Sequence, residues 1–225
     1  MVNIIAEIGI NHNGDINTCL EMIQSAKDCG ADYVKFQKRD PDVCVPELQK
    51  SQPKNTPWGD MTYLQYKHKI EFGLKEYSII NDFCQHIGIG WFVSIWDKNS
   101  LRFMHQNFAN EITKIPSAKA TELELIKQAK DKYKKVIVST GMTTQTEIDN
   151  ICNLFKSATD KNKLVLMHTV SSYPAELDTL RMDTIDWMKQ EFNEFSFGYS
   201  SHEQNVISAS ASVYKGIDWL ERHFT

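Results

Sequence analysis

The chain has 225 residues, 41% apolar and 24% charged, a balance that buries one substantial core and excludes a disordered or fibrous polypeptide. Its net charge of −4 argues against a nucleic-acid partner, because phosphate neutralisation needs a basic face. It holds no run of eighteen apolar residues and no charged-then-apolar start, so neither a membrane partner nor a secretory signal is expected, and a cytoplasmic location is the default.

Short apolar runs alternate with helical patterns along the chain. Strands are expected at 4–8, 33–37, 90–94, 111–115, 135–139, 164–168, 196–199 and 218–222. Leu20, Ile23 and Ala26 mark one face of the first helix, with Gly30 at its stop, and Ile148, Ile151, Leu154 and Phe155 mark a later one. Eight strands separated by helices predict an α/β fold, a TIM-type (β/α)8 barrel in one domain over 1–225; an open doubly wound sheet is the alternative. The pattern ends after the eighth strand, so the eighth helix is not expected within it. An uncovered barrel flank would favour self-association.

About fifty residues separate the second and third strands, against twenty to thirty elsewhere. The segment 38–75, with Pro41, Pro46, Pro53, Pro57 and Gly59, is a candidate lid over an active site; an inert insertion is the alternative. The five cysteines form no CxxC pair and read as free thiols of a reducing compartment.

Barrel enzymes carry their chemistry at the C-terminal ends of the strands. In chain order those ends present Glu7; Lys35 and Gln37; Ser94 and Trp96; Lys114 and Ser117; Ser139; 168–173 with Ser171 and Tyr173; Ser200 and His202; and His223. Alternation puts Lys35 and Gln37 on one face, with Val34 and Phe36 toward the helices, and likewise pairs Glu221 with His223. Two lysines and several hydroxyls suit a small, highly anionic substrate. His202 and His223, 21 residues apart on adjacent strand ends, are candidate ligands of one divalent metal, and an N/O set with open positions suits Mn²⁺, Mg²⁺ or Co²⁺ as a Lewis acid. His12, in an Asn-His-Asn-Gly turn, serves either the loop or a substrate.

The strand-end motifs resemble the sialic acid synthase family, which includes N-acetylneuraminate, legionaminate, pseudaminate and spore-coat members. The matching runs are Ala6-Glu7-Ile8-Gly9 with Asn11-His12-Asn13-Gly14, Val34-Lys35-Phe36-Gln37, Lys114-Ile115-Pro116-Ser117, Ser139-Thr140-Gly141-Met142, Ser172-Tyr173-Pro174, Gly198-Tyr199-Ser200-Ser201-His202 and Glu221-Arg222-His223-Phe224-Thr225. The resemblance implies a metal-dependent condensation of phosphoenolpyruvate with an open-chain N-acetylhexosamine, usually N-acetylmannosamine, giving a nine-carbon sugar acid and phosphate. It implies that His202 and His223 hold the metal, foremost Mn²⁺. It implies that Lys35, Lys114, Ser117, Ser139 and Ser200 cradle phosphoenolpyruvate, that Gln37 and Tyr173 touch the sugar, and that Glu7 stands beside the reacting centre, with Lys35, Lys114 and Glu7 taken as catalytic.

Lys119 stands where the family often has a glutamate, which removes a carboxylate or passes its role to Glu7 or Glu122. Ser201, Ser171 and the Ser94-Ile95-Trp96 run also depart from the common pattern, with Ser94 and Ser171 kept as substrate contacts. The family typically continues into a C-terminal antifreeze-like domain acting across a homodimer; that domain is absent from 1–225, and the chain is read as the barrel portion. Two other readings are a Schiff-base aldolase working through Lys35 or Lys114, and a barrel that binds phosphoenolpyruvate without turnover.

Overall fold

The computed structural model describes residues 1–224; Thr225, the last residue of the closing motif, lies outside them. Eight parallel strands close into a barrel: β1 (Asn3–Gly9), β2 (Tyr33–Lys38), β5 (Gly90–Ile95), β6 (Ile112–Ile115), β7 (Lys135–Ser139), β8 (Leu164–Thr169), β9 (Ser196–Ser201) and β10 (Trp219–His223). Around the ring the order is β1-β10-β9-β8-β7-β6-β5-β2, so the (β/α)8 expectation holds and the open sheet does not. Helices α1 (Ile16–Asp28), α5 (Leu74–Ile87), α6 (Lys98–Asn107), α7 (Leu123–Lys132), α8 (Gln145–Asn153), α9 (Asp183–Glu191) and α10 (Ile207–Tyr214) follow the strands.

The first of these shows how the sequence writes a helix. Asp15 caps its start by accepting from the Asn17 amide at 2.8 Å. Cys19, Met22, Ile23 and Ala26 recur on one face and are buried, and Gly30 takes a positive φ of 86° beyond its end. That buried face joins Val34 and Phe36 in the layer between strands and helices, where each large side chain contributes about 1.5–3 kcal/mol by leaving water.

Strand alternation sorts the barrel interior into layers. Ile5, Phe92, Ile137, Val165, Met167 and Trp219 form a dry plug. Two residues further along five of the same strands stand Glu7, Ser94, Ser139, Thr169 after Met167, and Glu221, all buried and polar. A period of two therefore lifts a polar layer directly above an apolar floor, at the end where the strands stop.

The long segment between β2 and α5 has structure of its own. It holds α2 (Pro41–Cys44), α3 (Glu47–Lys50), a hairpin of β3 (Pro53–Thr56) with β4 (Gly59–Thr62), and α4 (Tyr63–Ile70). Thr62 and Gln65 form a capping box at the start of α4. None of residues 38–75 lines the central cavity described below; the segment walls a second cavity beside it. His12 also lies away from the central cavity. It stacks on Phe72 with ring centroids 3.9 Å apart and accepts from the Gly14 amide at 3.1 Å, so it serves the loop.

Candidate active site

A cavity of about 230 Å³ opens over the polar layer, and all twelve residues expected to form the site line it. The charged groups come from β1, β2, β6 and β10, with β6 across the ring from β10. Around them stand the hydroxyls of Ser94, Ser117, Ser139, Ser171 and Ser200, with Gln37 beside Glu7 and with Tyr173, His202 and His223 toward the rim.

The charges at its base form a closed set. Lys35 Nζ lies 2.5 Å from Glu7 Oε2 and donates to Ser94 Oγ at 2.7 Å. Lys114 Nζ lies 2.7 Å from Glu221 Oε1, which also accepts from Ser200 Oγ at 3.1 Å and has Lys35 at 3.7 Å. Burial by itself would raise the Glu221 carboxyl, but Lys114 and Lys35 hold it below the usual carboxylate range. Lys114 is lowered from its ordinary value by burial, against the opposing pull of Glu221. Two ammonium groups thus face two carboxylates, and all four side chains are at most 5% exposed.

Backbone geometry brings these groups together. Glu7 registers with Lys35 on one side and with His223 on the other. A bulge between Glu7 and Gly9 ends the regular pairing, and Gly9 adopts a positive φ of 59°. A Cβ there would sit 3.1 Å from Glu7 Oε1, so glycine leaves room for the carboxylate. Gly141 makes comparable room: its Cβ would come within 2.8 Å of Ser117 Oγ and closer still to Ser171 Oγ.

Glu221 is the principal residue that sequence reasoning left out of the site. Its signal was present in the face it shares with His223, yet it stands beside Arg222 in a run that also reads as a charged surface. Lys119 points elsewhere and pairs with Glu122 at 2.6 Å, so neither it nor Glu122 lines the cavity. Of the two residues offered to replace the missing carboxylate, only Glu7 is in place. Ser201 also turns away from the cavity; it donates to Glu203 Oε1 and accepts from Arg222, each at 2.8 Å.

Two imidazoles, His202 and His223, stand together at the cavity. His202 Nδ1 donates to the Val170 carbonyl at 2.6 Å, which fixes the tautomer that leaves Nε2 with a lone pair. Burial pushes this imidazole down to about 4, so it is neutral at physiological pH. Its Nε2 accepts from the Tyr173 hydroxyl at 2.8 Å, and the His223 ring centroid lies 5.8 Å from its own. Glu221 Oε2 and Ser139 Oγ are buried without a hydrogen-bond partner. Among the described residues no three His, Cys, Asp or Glu side chains converge as a complete metal cage. An ion here would rest on His202 and His223 and take its remaining ligands from water or substrate oxygens.

A family model described as the NeuB family matches residues 22–225. The N,N'-diacetyllegionaminic acid synthase of Campylobacter jejuni is 32% identical over 225 residues, covering 99% of this chain and 67% of that protein. The N-acetylneuraminate-9-phosphate synthase of Drosophila melanogaster is 34% identical over 226 residues, covering 100% of this chain and 60% of that protein. A crystal structure of the N-acetylneuraminic acid synthetase of Leptospira borgpetersenii, in complex with citrate, superposes with a TM-score of 0.88 at 30% identity, covering 100% of this chain and 73% of that one. The chain thus spans 60 to 67% of the length of these two curated relatives. Matched along nearly its whole length in sequence and in fold, the chain belongs to the NeuB family.

Proposed function

We propose that the barrel binds phosphoenolpyruvate and condenses it with an open-chain N-acetylhexosamine, forming a nine-carbon sugar acid and releasing phosphate. The observation that carries this reading is the balanced set of two lysines and two carboxylates buried under a ring of serine hydroxyls. A neutral ligand has no use for four buried charges, whose desolvation is costly. A phospho-carboxylate can draw Lys35 and Lys114 toward its oxygens, with Ser117, Ser139 and Ser200 completing the cradle.

That rearrangement has a consequence for charge. When the lysines turn to the substrate, Glu7 and Glu221 lose their partners in a water-poor site. His202 and His223 would hold a divalent cation, whose charge would offset the two carboxylates and which would supply Lewis-acid polarisation of the acceptor carbonyl. Gln37, whose Nε2 donates to Glu7 Oε1 at 3.1 Å, and Tyr173 are placed to orient the sugar. In the condensation the enol carbon bonds to the aldehyde carbon, water adds at the former C2, and the C–O bond to phosphate breaks. Glu7 is the carboxylate beside that centre, and its role is to hold the water or carry its proton.

The Schiff-base alternative finds no support in the geometry. A Schiff base needs a lysine free to attack a carbonyl, and here each lysine is paired with a buried carboxylate, Lys35 with Glu7 at 2.5 Å and Lys114 with Glu221 at 2.7 Å. The test is phosphate release from phosphoenolpyruvate with N-acetylmannosamine and Mn²⁺. Release should require the sugar and disappear in Lys35→Met and His202→Ala. Sugar-independent phosphoenolpyruvate breakdown, or an imine trapped with borohydride, would contradict the proposal.

A further inference from the structure

The two histidines stand where the pairing of their strands runs out. The last registered pair of β9 and β10 is Ser201 with Arg222, and His202 follows beyond the ladder. The Val170 carbonyl and the Ala175 amide tie His202 to the segment after β8. What ties it to β10, and so to His223, is a group of side chains on the far face of the strands. Alternation turns Ser200, Glu221 and His223 toward the cavity and sends Tyr199, Ser201 and Arg222 outward, toward α10.

Glu203 is the centre of that group and is only 4% exposed. Its Oε1 accepts from Ser201 Oγ at 2.8 Å and from Ser208 Oγ of α10, and its Oε2 accepts from the Tyr199 hydroxyl at 3.0 Å. Arg222 closes the group from β10. Its Nη1 lies 3.7 Å from Glu203 Oε1 and donates to Ser201 Oγ at 2.8 Å. The same guanidinium holds the turn after His202, donating to the carbonyls of Glu203, Gln204 and Asn205 at 2.7 to 3.0 Å. Ser201 is the pivot, giving its proton to the carboxylate and accepting one from the guanidinium.

Stability alone does not call for such a group. A carboxylate taken out of water is costly unless its lone pairs are used, and a buried ion pair is often no better for stability than apolar residues of the same volume. A charge centre that joins β9, β10, α10 and a turn fixes a geometry instead. The geometry here is that of two imidazoles with ring centroids 5.8 Å apart, one residue before Glu203 and one after Arg222. Glu203, Ser201 and Arg222 do not line the central cavity, so they reach its chemistry only through the histidines.

We propose that Glu203 is a positioning residue: with Ser201 and Arg222 it fixes the separation of the His202 and His223 imidazoles, and so decides how tightly the pair grips one divalent cation. The inference rests on the metal assignment made for those histidines in the synthase reading.

The experiment titrates Mn²⁺ alone into the whole protein by calorimetry. The chains compared are wild type, Glu203→Gln, Ser201→Ala, His223→Ala, and His223→Ala combined with Glu203→Gln. Losing a partner that orients a metal ligand costs about 10- to 100-fold in metal affinity, and Glu203→Gln should fall in that range, with Ser201→Ala weakened in the same direction. The paramagnetic resonance of the bound Mn²⁺ should broaden in Glu203→Gln, because imidazoles at an unfixed separation give a spread of ligand fields. Phosphoenolpyruvate affinity without metal should be unchanged in both variants, which also reports that they are folded, since Lys35, Lys114, Ser117 and Ser139 stand at other strand ends. With His223 already replaced no pair is left to hold, so adding Glu203→Gln should weaken Mn²⁺ no further. Mn²⁺ affinity that survives both Glu203→Gln and Ser201→Ala, an equal loss with and without His223, or a parallel loss of phosphoenolpyruvate affinity would overturn the inference and leave the histidines' own role standing. Wild type that does not bind Mn²⁺, or binds it as well after His223→Ala, would strike the metal assignment and this inference together. Phosphoenolpyruvate failing to bind wild type would strike the synthase reading alone, and the Mn²⁺ titrations would still decide this one.

Discussion

Replacing Glu221 by glutamine tests whether the buried charges are coupled as the geometry says. The substitution keeps shape and volume but leaves Lys114, 2.7 Å away, without its counter-charge. At an effective dielectric of about 20 the pair's gross attraction is about 6 kcal/mol. Breaking a buried pair from one side costs about 3–5 kcal/mol, because the remaining ion stays desolvated. The loss is limited by the freedom of Lys114 to release its proton, and burial already favours that. Urea denaturation at pH 7 should therefore show Glu221→Gln less stable by about 3 kcal/mol or more, a large share of the 5–15 kcal/mol typical of a domain. The sign of the pH dependence follows from the depressed carboxyl. Its stabilisation is present above the ordinary carboxyl value of 4.5 and is lost as the pH falls below it toward the folded value. Glu221→Gln should flatten that acid limb of the stability curve. A loss under 1 kcal/mol at pH 7, or an unchanged acid limb, would refute the coupling.

Gly141→Ala should weaken phosphoenolpyruvate binding at least about 10-fold, because the new methyl displaces Ser117 and Ser171 hydroxyls; calorimetry reads this, and unchanged affinity would remove those serines from the cradle. Arg222→Ala should destabilise the protein by about 2–3 kcal/mol and weaken Mn²⁺ binding. Its guanidinium donates to the carbonyls of Glu203, Gln204 and Asn205, just after His202, and thermal melts with Mn²⁺ titration check both effects. Manganese and phosphoenolpyruvate should each tighten the other by about 5- to 150-fold, since the coupling of two ligands is reciprocal. Independent binding would show that the carboxylates stay paired with the lysines.

Most of the barrel and its polar layer was legible because both follow from a period of two along eight short strands. Lys35 and Gln37, or Glu221 and His223, can be put on one face without knowing any distance. Glu221 itself escaped because an acidic residue next to an arginine is usually solvated; only barrel closure sets it against Lys114, a partner 107 residues away. The segment 38–75 was legible as an interruption and not as structure. Its hairpin strands are four residues long, polar, and begin with Pro53 and Gly59, so no hydrophobic alternation announces them. The second cavity was hidden for a related reason. Arg39 and Lys67 look like any surface charges until folding stacks one on Trp96 and lays the other across two tyrosines.

The measurement that bears most directly on the synthase reading is calorimetric titration of phosphoenolpyruvate into the metal-free protein. It is repeated with Mn²⁺, and then with a His202→Ala, His223→Ala variant. Binding should be weak without metal, tightened by Mn²⁺, and indifferent to Mn²⁺ in the variant, whose residual affinity comes from Lys35, Lys114 and the serines. Absence of binding in every condition, or Mn²⁺ enhancement that survives loss of both histidines, would contradict the assignment of this cavity to metal-assisted phosphoenolpyruvate chemistry.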